Sequence, residues 1–154
     1  MSQLIDLFEY TGWANGLVLD ATSRMSDDQL AAPMPELGGS VLELLDHTAL
    51  VEQAFLALMT GSERPPRGDR NYEQVRAAFA ASAAGYAAAL PDLERRREEH
   101  FTVPWFEREF TIEQGLLHVV THSVQHRAGI CAGIHRAGLE SPGLDYIMWM
   151  SSYR

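Results

Sequence analysis

The sequence predicts an all-α protein, an up-down four-helix bundle with a short extra C-terminal helix. Apolar residues recur at helical spacing in four long segments, and serine, threonine or asparagine stands where each of the last three would begin. Glycine or proline stands where they would end. A length of 154 residues suits one core, so we assign residues 1–154 to a single domain.

The first long helix is predicted over residues 2–24. Ser26 and Gln29 then form a capping box, the pattern that opens a helix, and predict a short helical turn. The second long helix begins at the capping box of Ser40 and Glu43 and ends at Gly61.

The third long helix is predicted from Asn71 to about residue 90, where Pro91 would end or kink it. The alternative is that the charged stretch to residue 99 extends the helix. Residues 100–110 read as an extended connection. Thr111 and Gln114 cap the fourth helix, which Gly138 closes. A short helix over residues 144–151 finishes the chain.

Composition excludes several classes of function. The net charge of −9 disfavours nucleic-acid binding. All twelve basic residues are arginine, which excludes lysine Schiff-base chemistry and the Walker A phosphate site. Cys131 is the single cysteine, so a metal here would be held by His, Asp or Glu. No segment reads as a membrane span or a secretory signal, and we expect a cytoplasmic protein.

Three histidines, His118, His122 and His126, are spaced four residues apart in the fourth helix. Such neighbours lie about 40° apart on one helix face, where two imidazoles can share a metal ion. Ser123 stands where zinc proteases of this spacing carry glutamate, which disfavours a protease. The spacing of glutamates also disfavours a di-iron site.

A third ligand would come from another helix, and His47 is the candidate. It lies within an apolar stripe of the kind that faces a bundle core, formed by Leu44, Val51, Ala54 and Leu58. The alternative is that His47 is a hydrogen-bonded core residue without a metal.

Four segments, in order, resemble the DinB-like (DinB/YfiT) superfamily of metal-binding bundles: residues 10–21 with Trp13 and Asn15, residues 40–47, residues 117–127 and residues 138–150. The resemblance implies a four-helix bundle, often a homodimer, with a metal held by His47, His122 and His126. It also implies that His118 is not a ligand. Family members described as enzymes are thiol transferases that use a low-molecular-weight thiol, thiol-dependent isomerases, or hydrolases.

A site of three neutral histidines leaves an open position on the ion, which is the pattern of catalytic rather than structural metals. Such an ion activates a bound water or thiol, and imidazole ligands suit zinc or nickel. We therefore expect an enzyme that transfers a low-molecular-weight thiol to a small electrophilic molecule. The alternatives are a metal-dependent hydrolase and a non-catalytic, stress-related metal-binding bundle.

Five further residues are candidates for the surroundings of the metal or the pocket. Glu43 could act as a base, although a capping role is the stronger interpretation. His118 could orient His122 or simply pack in the core. Gln125 could donate to a substrate, and Trp13 and Asn15 could line the pocket.

Overall fold

The computed structural model describes residues 3–153 and confirms the all-α bundle with its extra C-terminal helix. The helices of this part of the chain are α1 (Gln3–Thr22), α2 (Asp27–Ala31), α3 (Val41–Thr60), α4 (Tyr72–Arg95), α5 (Ile112–Arg136) and α6 (Tyr146–Tyr153). A 3-10 turn (Pro35–Leu37) precedes α3, and two short strands, β1 (His100–Val103) and β2 (Arg108–Thr111), precede α5. Ser2, the predicted first residue of the first helix, lies outside the described residues.

Capping boxes fix the starts of four helices, α2 to α5, as the sequence predicts. The side chains of Ser26, Ser40, Asn71 and Thr111 each accept a hydrogen bond from the amide three residues later. In every case the residue at that third position bonds back to the cap, so two otherwise unpaired amides are satisfied at once.

The long helices end within a few residues of their predicted limits. Gly61 closes α3 in the left-handed conformation, with φ of 72°. Pro91 lies inside α4, which continues to Arg95. The extension beyond Pro91 is therefore the correct alternative, although the helix stops short of residue 99.

The connection predicted over residues 100–110 is a β-hairpin. β1 and β2 pair antiparallel, with His100 opposite Thr111 and Val103 opposite Arg108. Phe101 and Val103 point into the bundle core, whereas Trp105 and Phe106 lie in the turn and are 45% and 58% exposed. The hairpin therefore anchors one face in the core and presents two aromatic rings at its tip.

The four long helices are not ordered around the bundle as they are along the chain. α3 packs against α4 and α5, and α1 packs against α5 and, less extensively, α4. α1 and α3 consequently lie across the bundle from each other. The α3–α5 contact is the most extensive helix pair and is the one that carries the histidines. Within residues 3–153, none of the helices is long and apolar enough to cross a bilayer.

Candidate metal centre

Three histidine rings converge where α3 faces α5. Nε2 of His122 lies 3.1 Å from Nε2 of His47 and 3.1 Å from Nε2 of His126. One nitrogen from each ring can be chosen so that all three lie within 4.8 Å of one another, a grouping that could hold a metal ion. The predicted residues are thus brought together, two by their spacing on α5 and the third by helix packing.

His47 reaches this cluster from the edge of the bundle and not from its interior, which corrects the expected position. Its side chain is exposed, while His122 and His126 are half-buried. Of the stripe that predicted an inward position, only Leu44 is fully buried; Val51, Ala54 and Leu58 are half-buried. The buried face of α3 instead runs through Leu44, Leu45, Thr48, Glu52 and Phe55. Val51 and Ala54 line the open cavity and are half-buried, so their apolar spacing resembled that of residues in a bundle core.

The surroundings of His122 and His126 keep these two imidazoles neutral. Burial, together with the charges that His126, His47 and His118 would carry, lowers the pKa of His122 from 6.5 to about 3. Burial and His47 also lower the pKa of His126. At neutral pH these two rings therefore have the free lone pairs that metal ligation requires.

The hydrogen-bonding capacity of the cluster fits a cation. Nε2 of His122 faces two other Nε2 atoms, and a single ring proton can satisfy one of those contacts only. Nδ1 of His122 is buried without a hydrogen-bond partner in the described chain. A divalent ion would use the converging lone pairs that neighbouring side chains leave unsatisfied.

A cavity of about 950 Å³ opens beside the histidines. His47, His118 and His122 form one wall, and the side chains of Phe55, Trp105 and Phe106 form another. The connection between α3 and α4 closes the remaining side with Glu63, Arg64, Pro65 and Arg67. Sequence reasoning missed the hairpin aromatics and the arginines. The aromatic pair within a short extended connection was the available signal.

His118 lines this cavity without bonding to the cluster. Its ring packs against Phe55 at a centroid distance of 4.5 Å and lies 5.4 Å from the ring of His122. Within residues 3–153 its imidazole makes no hydrogen bond to His122, and burial lowers its pKa. The ring therefore acts as part of the cavity wall.

The four remaining residues that were predicted to surround the metal or line the pocket lie away from the histidine cavity. Glu43 accepts a hydrogen bond from the Ser40 amide at 2.6 Å, so the capping interpretation holds, and that bond lowers the pKa of the carboxylate. Gln125 is exposed and does not line the cavity. Trp13 packs against the buried ring of Tyr10. Asn15 is buried in a separate polar cluster.

That separate cluster is centred on Glu52, which is 4% exposed and was not predicted. Oε1 of Glu52 accepts hydrogen bonds from Asn15 at 3.0 Å and Ser123 at 2.8 Å, and Oε2 accepts one from Ser82 at 2.7 Å. Nη1 of the buried Arg127 donates to Oδ1 of Asn15 at 2.8 Å. We call these five residues the Glu52 cluster. All four long helices contribute to it.

A family model for the DinB family matches residues 1–153. The chain belongs to the DinB family. Among solved structures, a DinB-like protein from Bacillus cereus ATCC 10987 is similar, with a TM-score of 0.75 over 91% of this chain and 94% of that one. Sequence identity is 14%, so this likeness shows the shared fold alone. No match is found among curated proteins.

Proposed function

We propose that His47, His122 and His126 bind one divalent metal ion and that this DinB family protein is an enzyme that transfers a low-molecular-weight thiol to a small electrophile. The observation that carries the proposal is the convergence of three imidazole nitrogens beside an open cavity. A divalent ion on three neutral ligands supplies the charge that holds a thiol as its thiolate. Imidazole ligands favour zinc or nickel.

The residues of the chain supply the rest of the reaction. The thiol proton passes to water, the thiolate sulfur forms a bond to the electrophilic carbon, and the leaving group departs with the electron pair of the broken bond. Phe55, Trp105 and Phe106 form an apolar wall that holds the electrophile next to the histidines and limits access of water. His118 adds a flat surface to the same wall.

The acidic residues favour thiol transfer over hydrolysis. A metal-dependent hydrolase benefits from a carboxylate that takes a proton from the attacking water. Glu63 is the only carboxylate among the described residues that line the cavity, and it belongs to an exposed loop. A metal-bound thiol is already deprotonated and needs no such base. Hydrolase activity and a non-catalytic role remain the alternatives to test.

The test is metal analysis of the purified protein followed by a conjugation assay. Zinc- and nickel-loaded protein would be mixed with monochlorobimane and, in turn, cysteine, glutathione or coenzyme A, and product fluorescence recorded. We expect about one equivalent of metal per chain and metal-dependent conjugation with at least one thiol. His122→Ala should abolish both, whereas His135→Ala, an exposed histidine on the same helix, should change neither. Metal binding without conjugation of any thiol would favour the hydrolase or the non-catalytic role.

We also propose a homodimer, on family resemblance. The exposed apolar side chains of Tyr146, Ile147 and Met148 on α6 offer a surface that association would cover. Light scattering that gives the mass of one chain at micromolar concentration would contradict the homodimer.

A cytoplasmic location and the absence of nucleic-acid and membrane partners stay predictions from the sequence.

A further inference from the structure

The cavity beside the histidines carries positive charge in a chain whose net charge is −9. Arg64 and Arg67 line it together with Glu63, so these loop side chains contribute a net charge of +1, two cations less one anion. Within residues 3–153, neither Arg64 nor Arg67 makes a hydrogen bond or ion pair. Both guanidinium groups are therefore available to a ligand.

Contacts at both ends of the loop hold these arginines over the cavity. At the α3 end, the Ser62 amide donates to the carbonyl oxygen of Ala57 at 3.0 Å. At the α4 end, Arg70 forms an ion pair with the side chain of Asp46, and its Nη2 donates to the carbonyl oxygen of Asp46 at 3.1 Å. Asp46 immediately precedes His47, so the loop is tied to α3 beside the metal centre.

Aromatic side chains form another wall of the same cavity. Trp105 lies 6.0 Å from the ring of Phe55 and 6.2 Å from that of Phe106. A second cavity of about 510 Å³ shares Phe55, Phe106 and His118 with the first and continues along the hairpin. Exposing large aromatic rings to water is unfavourable, so a ligand with an apolar part would gain by covering them.

We infer that Arg64 and Arg67 form a carboxylate subsite and that the thiol substrate is an acidic one, held with its carboxylate on the loop and its sulfur towards the histidines. This rests on the proposed thiol transfer. Arginine binds planar carboxylates through paired N–H donors. The loop charge of +1 matches a single carboxylate better than a doubly charged phosphate. The aromatic wall then remains for the electrophile.

The experiment compares two thiols of nearly the same shape that differ in charge, the anion mercaptopropionate and its neutral amide. Their affinities for the zinc-loaded protein are measured by calorimetric titration. We expect wild type to bind the acid about 5- to 10-fold more tightly, the size of a partly exposed charge-assisted contact. The double variant Arg64→Gln/Arg67→Gln should lose that preference and bind the amide as wild type does. Arg24→Gln/Arg95→Gln makes the same charge change away from the cavity and should keep the preference.

Phenylpropionate and its amide, titrated into metal-free protein, separate this subsite from the metal. The same preference for the acid is expected, with the same loss in the Arg64→Gln/Arg67→Gln variant. If neither thiol bound the zinc-loaded protein while phenylpropionate kept its preference, thiol transfer would fail and the subsite would stand. If the acid were preferred equally in the double variant, or nowhere preferred, the carboxylate subsite would be wrong whatever happened to the thiol.

Discussion

The three histidines and the Glu52 cluster share helices α3 and α5, although α1 and α4 also contribute to the Glu52 cluster. The two differ in whether the group at their centre has hydrogen-bond partners. Glu52 follows His47 on α3, and Ser123 and Arg127 are the immediate neighbours of His122 and His126 on α5. Both carboxylate oxygens of Glu52 accept hydrogen bonds inside the bundle. The histidine nitrogens instead face one another beside a cavity.

This difference separates a structural role from a binding role. A buried carboxylate supplied with donors from three other helices holds those helices in one arrangement. The charge of Arg127 interacts favourably with that of Glu52 and with the face of the Tyr10 ring, 5.4 Å away. Converging lone pairs without donors favour a ligand that supplies positive charge. Substitutions in the two clusters should therefore affect different measurable quantities.

The largest expected effect is the loss of metal affinity on replacing a histidine of the triad. His122→Ala should weaken zinc binding by about 1000-fold, or about 4 kcal/mol, because two imidazoles hold the ion poorly. His47→Ala and His126→Ala should act similarly. Competition with a coloured chelator measures the affinity. Near wild-type affinity in His47→Ala would show that the ligands are confined to α5.

Glu52→Ala should have the next largest effect, on stability. It leaves the donors of Asn15, Ser82 and Ser123 buried without an acceptor, and we expect a loss of about 3–5 kcal/mol in the free energy of unfolding. Glu52→Gln keeps one acceptor oxygen and should cost less. Urea unfolding of the metal-free protein measures both. If folded Glu52→Gln protein lost its zinc affinity, the separation between the two clusters would not hold.

The response of stability to pH should distinguish the clusters further. In the folded, metal-free protein the pKa of His122 is about 3, whereas in the unfolded chain it returns to 6.5. Below pH 6.5 the unfolded state therefore binds more protons, and stability falls as pH decreases towards the folded pKa. Between about pH 7 and about pH 5, wild type should lose more stability than His122→Gln. Equal losses in urea titrations at the two pH values would contradict this.

The smallest effect is expected for His118→Ala. Because this imidazole makes no hydrogen bond to His122, zinc affinity should change by less than about 3-fold, against the 10- to 100-fold typical of residues that orient a ligand. The loss should appear in the KM for the electrophile, since the ring lines the cavity. A 10-fold or larger loss of zinc affinity would show that His118 positions His122 after all.

Local patterns account for what could be predicted from the sequence. The capping boxes at Ser40 and Thr111 depend on residues three apart, and the shared face of His122 and His126 depends on residues four apart. Both follow from helix geometry alone. The apolar stripe of α3 made His47 a candidate and the family motifs selected it, but no local pattern connects this residue to α5.

The tertiary structure decided the features that depend on residues distant in the chain. The order of the helices, with α1 opposite α3, places Asn15 next to Glu52, and the tether of Arg70 on Asp46 brings Arg64 and Arg67 to the cavity. Sequence periodicity assigned His47 to the interior because it records which residues are apolar, and the residues of α3 that line an open cavity are as apolar as those of a core. Burial depends on which helices meet, and that is set by the packing of the whole chain.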